Sequence, residues 1–111
     1  MKTERAWAAG FFDGEGTVVA FRPERYKTAQ VTLAIAQLER ATLVRFRAAV
    51  GAGTITGPYK YKTNQRPYYK WFSGAKADVE KVRTAMWPFL GNVKRRAFSR
   101  AYKEAQRAVQ S

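Results

Sequence analysis

The residues able to do chemistry are few and close together. The run Ala8-Ala9-Gly10-Phe11-Phe12-Asp13-Gly14-Glu15-Gly16 sets two carboxylates two positions apart among small and apolar residues. The chain has no cysteine and no histidine. That excludes disulfides, thiolate nucleophiles, Cys/His zinc sites and a histidine general base. Any catalysis must use carboxylates, Lys, Tyr, Ser/Thr, or a metal held by oxygen ligands. A carboxylate with water ligands suits Mg²⁺, which keeps much of its hydration, and Ca²⁺ or Mn²⁺ could substitute. Alone, Asp-Gly-Glu-Gly is equally a structural turn with solvated acids, so the surrounding chain has to decide.

Charge is the next constraint. Across 111 residues, 21 Lys and Arg stand against 8 Asp and Glu, a net charge of +13. Such a surface repels itself and calls for an anionic partner. Polyphosphate fits best, because neutralising phosphates releases condensed counterions. No segment is apolar over the length a membrane span needs. The N-terminus turns acidic too soon for a signal peptide, so a cytoplasmic setting is expected. With 46% hydrophobic residues, the length suits one domain, residues 1–111.

The elements that must hold the acids follow from periodicity. Thr3 to Phe12 reads as a helix capped by Thr3, with Gly10 inside it at a cost of roughly 1 kcal/mol against Ala. Asp13-Gly14-Glu15-Gly16 is expected to end it in a tight turn with unusual dihedrals. Thr17 to Phe21 and the alternating Val31, Leu33 and Ile35 form a hairpin. Arg40 to Val50 is helical, with Leu43, Phe46 and Val50 on one side, and Gly51 stops it. Thr54 to Tyr59 and Tyr68 to Phe72 are strands, Lys76 to Trp87 a helix followed by Pro88, and Val93 to about Val109 a last basic helix. The expected class is α+β, in the order α-β-β-α-β-β-α-α.

Position by position, the nine-residue run resembles the LAGLIDADG signature of homing endonucleases. Gly10, Asp13, Glu15 and Gly16 match its informative sites. Glu15 keeps the carboxylate of the more usual second Asp, and Ala8 replaces Leu. Small residues let the motif helix pack against its own copy, a steric argument worked out for membrane helices that transfers here. The resemblance implies a homodimer joined through Trp7, Ala9, Gly10 and Asp13, with the two Glu15 carboxylates holding Mg²⁺. Paired carboxylates repel unless cations lie between them.

The same resemblance implies hydrolysis of both strands of a near-palindromic double-stranded DNA site, with no small-molecule substrate and no membrane. Such enzymes belong to mobile, often intron-encoded elements. It points to Gln37, ending the second strand, as a group that orders water. It also points to a Lys opening the last helix: Lys94 is favoured, but Arg95 and Arg96 beside it leave the choice open. In this fold a curved antiparallel sheet lies in the major groove. Gln30, Thr32, Thr54, Thr56, Tyr68 and Lys70 are then expected to face DNA, and Tyr69 and Trp71 the core. Arg22, Arg25, Lys27, Lys60, Lys62 and Arg66 are expected near phosphate, and Arg40 is a further candidate for the basic pocket at the centre of the DNA-binding surface. The alternatives are a catalytically inactive DNA-binding regulator or RNA-splicing maturase of this fold, and a ribosomal-type RNA binder.

Overall fold

In a computed structural model that describes residues 2–21, 30–63 and 65–110, the order is α1 (Lys2–Glu15), β1 (Gly16–Phe21), β2 (Gln30–Gln37), α2 (Arg40–Val50), β3 (Thr54–Tyr59), β4 (Tyr68–Ser73), α3 (Lys76–Met86), a 3-10 turn (Trp87–Phe89) and α4 (Asn92–Gln110). The class is α+β, as the periodicity requires. The strands make one antiparallel sheet in the order β1-β2-β4-β3. Helices cover one face and leave the other open. No described helix is long and apolar enough to cross a membrane.

The core lies between the sheet and the helices. Val31, Leu33 and Ile35 point into it from β2, and Trp71 from β4. Phe12, Phe46 and Phe98 bring one aromatic ring each from α1, α2 and α4. Phe12 stacks 6.2 Å from Phe46 and 6.0 Å from Phe98, and Phe46 meets Trp71 edge-on at 4.8 Å. Each such buried ring contributes about 1.5–3 kcal/mol. The Trp71 Nε1–H donates to the Ala52 carbonyl at 3.0 Å, which satisfies the one polar atom the ring buries. Gly51 ends α2 in the left-handed conformation, φ 82°, and its N–H bonds the Arg47 carbonyl at 2.8 Å.

The boundaries of α1 and α3 differ from expectation in ways that bear on the site. Helix α1 begins at Lys2, so Thr3 is not its cap. It also runs through Glu15 rather than stopping at Phe12. The expected turn with unusual dihedrals is absent, since neither Gly14 nor Gly16 has positive φ. Gly16 serves close packing instead: a Cβ there would lie 2.6 Å from Cγ of Phe12. The chain therefore passes from helix straight into strand over a buried ring. At the other boundary, Trp87 leaves α3 for the 3-10 turn, as Pro88 cannot continue the α-helical ladder.

Candidate active site and nucleic-acid interface

Strand register gathers the sequence-predicted groups at one end of the sheet. Gly16 lies opposite Ile35 on β2, so Glu15, the last residue of α1, meets the sheet near the end of β2, where Gln37 sits. Gln37 in turn lies opposite Tyr69 on β4. The connection between β3 and β4, with Lys60, Lys62 and Arg66, therefore leaves the sheet at that same end. Arg40 opens α2 just beyond Gln37 and is exposed. Among the described residues Arg66 makes a long contact to Glu39, 3.8 Å between two well-exposed side chains, a pair worth little.

The two acids of the motif have different surroundings. Both carboxylate oxygens of Asp13 accept from the Gly91 N–H, at 3.1 and 3.0 Å. Gly91 precedes α4, and its carbonyl accepts from the Arg95 N–H at 3.1 Å. Asp13 thus places negative charge at the positive end of the α4 dipole. It fastens the end of α1 to the start of α4, which carries Lys94. Glu15 is exposed, and among the described residues it makes no ion pair or hydrogen bond. No group of three or more acidic side chains that could hold a metal forms among the described residues. One chain therefore offers a single free carboxylate there. That is too few for a protein cage, but enough for Mg²⁺, which binds through one or two carboxylates plus substrate phosphate.

The basic run opening α4 separates by environment. Arg95 donates to the Trp87 carbonyl at 2.8 Å and lies over the Trp87 ring at 5.2 Å. It braces the 3-10 turn. Lys94 is half-buried, and Arg96 is exposed.

On α1, Gly10 and Gly14 are exposed, and a Cβ at either would meet nothing within 4 Å. With the half-buried Ala6 they make a stripe of small residues at four-residue spacing on the outer face. Of the residues expected at a dimer interface, Gly10 is thus open to solvent. Ala9 is wholly buried in the chain's own core, so it has no surface to offer a second copy. Trp7 stacks on Phe11 at 5.4 Å with Arg45 3.8 Å above it. Arg45 is also held by Glu4 at 2.8 and 3.0 Å. That hydrogen bond holds the Glu4 carboxyl below its ordinary pKa and the guanidinium above its own. Asp13 is taken up by Gly91. Gly10 and Gly14 stay open on the outer face of α1.

The open sheet face carries Gln30, Thr32, Thr54, Thr56 and Lys70, while Trp71 is buried and Tyr69 packs against the core. Tyr68 stacks on Tyr61 at 5.0 Å and lies 5.5 Å from Tyr59. Its hydrogen bond to Tyr61 raises its pKa. Arg22, Arg25 and Lys27 lie outside the described residues. Reading by pattern did not single out three groups: the Asp13 clamp, the Arg45 brace on Trp7, and the exposed rings of Phe21 and Tyr61. For Phe21 the signal was present, since the alternation Thr17, Val19, Phe21 puts it on the open face.

No protein-family model matches the chain, and no curated protein does. Solved structures do. The homing endonuclease I-CvuI, in complex with its target in the presence of 2 mM Ca, is similar with 23% identity and a TM-score of 0.70, over 96% of this chain and 66% of that one. The LAGLIDADG meganuclease I-CpaMI bound to uncleaved DNA gives 15% identity and 0.73, over 92% and 37%. The archaeal intron-encoded homing endonuclease I-Vdi141I complexed with DNA gives 17% and 0.61, over 78% and 55%. This chain spans between 37% and 66% of the length of these three.

Proposed function

We propose that this chain, which has the LAGLIDADG homing-endonuclease fold, is one subunit of a homodimeric endonuclease that hydrolyses both strands of a near-palindromic DNA site with a divalent cation. The observation that carries the reading is Glu15. It is an exposed carboxylate without an internal partner among the described residues, at the end of a helix whose outer face is bare glycine. Two copies meeting through Gly10 and Gly14 bring two Glu15 carboxylates together near the two-fold axis. The net charge of +13 and the DNA-bound state of the similar structures support a DNA partner.

A bound Mg²⁺ supplies a more acidic water and neutralises charge on the attacking and leaving oxygens. The chain's own groups do the rest. Glu15 holds the cation through its carboxylate. Gln37, on the neighbouring strand end, orients water for in-line attack by hydrogen bonding. Lys94, fixed at the start of α4 by the Asp13 clamp, counters the negative charge that grows on the phosphate; Arg95 is held away on Trp87. Lys60, Lys62, Arg66 and Arg40, with Arg22, Arg25 and Lys27, track the backbone. Gln30 has the donor and acceptor pattern for adenine, and Lys70 for guanine.

The test uses purified protein, Mg²⁺ and a plasmid library of randomised sites. Linear products with the wild type are expected. Glu15→Gln should yield none while still retarding the same plasmids on a gel. Cleavage that persists in Glu15→Gln would refute the assignment. Retention of DNA without cleavage by the wild type would favour the regulator.

A further inference from the structure

A surface meant for a polyanion should carry cations, yet the open sheet face is nearly uncharged and sets large apolar side chains among Thr and Gln. Among its described strand positions Lys70 is the one charged group. Val19 is 46% exposed, Phe21 52% and Phe72 47%. Apolar side chains left in water on one face mark an interaction surface.

The register orders these groups. Lys70 lies opposite Ala36 and Thr56, in the row nearest Gln37. Phe72 lies opposite Ala34 and Thr54 one row further out, Val19 opposite Thr32, and Phe21 opposite Gln30 at the far end. Phe21 and Phe72 line one shallow groove with Gln30, Thr32 and Asp78. A carboxylate there would repel phosphate, so the groove suits base edges rather than backbone.

The major groove of DNA presents one apolar group, the C5 methyl of thymine. We propose that this face reads thymine methyl groups. Phe72, Val19 and Phe21 each cover a methyl, in that order outward from the cleavage centre. Gln30, paired with Phe21, takes the adenine of the outermost A·T pair. Phe21 stands six residues beyond Glu15, about 20 Å along the strand at ~3.4 Å per residue. That is about six base-pair steps at ~3.4 Å each. Each half-site is therefore A·T-rich at its outer positions and can hold guanine, opposite Lys70, near the centre. The proposal rests on the DNA-binding reading above and specifies what that reading leaves open.

The experiment selects bound duplexes from two randomised pools, one made with thymidine and one with deoxyuridine, which lacks only the methyl. The thymidine pool should enrich A·T pairs at the outer positions. Replacing thymidine by deoxyuridine in a selected site should weaken binding about fourfold per covered methyl. Phe72→Ser should erase the thymidine preference at its own position alone, whereas Phe72→Leu, which stays apolar, should retain it. Equal affinity for both duplexes, with site-specific binding intact, overturns this proposal and leaves the endonuclease reading standing. Absence of DNA binding overturns both. Phe72→Ser that abolishes self-association but leaves DNA affinity unchanged assigns the face to a second copy and also overturns it.

Discussion

Replacing Gly10 and Gly14 by alanine separates the stability of the chain from its self-association, because the two effects carry opposite signs. Neither glycine has positive φ, and a methyl at either meets nothing within 4 Å in the single chain. Within the monomer only helix propensity acts, and Ala exceeds Gly by about 1 kcal/mol per site. The double variant should gain about 2 kcal/mol, a rise in Tm of about 8 °C for a domain of this size. In a two-fold dimer joined through this face every added methyl occurs twice. Overpacking costs about 1–3 kcal/mol per insertion, so Gly10→Ala alone should weaken association by about 2–6 kcal/mol. That is roughly 30-fold to 10⁴-fold in the dimer dissociation constant. Urea unfolding at concentrations where the chain is monomeric reads the first effect, and sedimentation equilibrium over a concentration series reads the second. A stabilised variant that dimerises as tightly as the wild type would refute the helix-face interface. A destabilised monomer would refute the claim that the glycines face open space.

Three further outcomes follow from particular contacts. Gly16→Ala should lower stability by about 1–3 kcal/mol, because the methyl meets the buried Phe12 ring; an unchanged urea midpoint would contradict the packing. Asp13→Ala removes the carboxylate that accepts from Gly91 and should cost about 1 kcal/mol at this half-exposed site. It should reduce cleavage more than DNA binding, since the start of α4, which carries Lys94, loses its tie to α1; equal losses in gel retardation and plasmid cleavage would count against the clamp. Burial, and the hydrogen bond that the Tyr102 hydroxyl donates to Glu80 at 2.9 Å, push the Tyr102 pKa up to about 12. A raised pKa favours the neutral phenol in the fold. The stabilisation is thus whole below the unfolded value near 10 and is lost as pH climbs through about 12. Tyrosinate absorbance should show this late titration in the wild type and lose it in Tyr102→Phe.

Much of the architecture was legible along the chain because its causes are local. The alternation of Val31, Leu33 and Ile35 assigns the buried face of β2, and the spacing of Leu43, Phe46 and Val50 assigns that of α2. The acids of Asp13-Gly14-Glu15-Gly16 marked the chemistry because their types and spacing lie in nine consecutive residues. Their division of labour did not show there. Asp13 finds its partner 78 residues away, a pairing for which no periodicity exists. The same holds for Ala9, which is wholly buried only in the folded core, and for Arg95, which the contact with Trp87 distinguishes from Lys94.

The sequence by itself determined which elements form and which side of each is apolar, since these depend on neighbours within a few residues, and its lack of Cys and His excluded thiolate and imidazole catalysis. Only the tertiary structure decided which acid is free. It also set β4 between β2 and β3, which brings Lys60, Lys62 and Arg66 to the end of the sheet that holds Gln37. Strand order and helix docking are chosen by burial summed over the whole core, and no short stretch of chain encodes that sum.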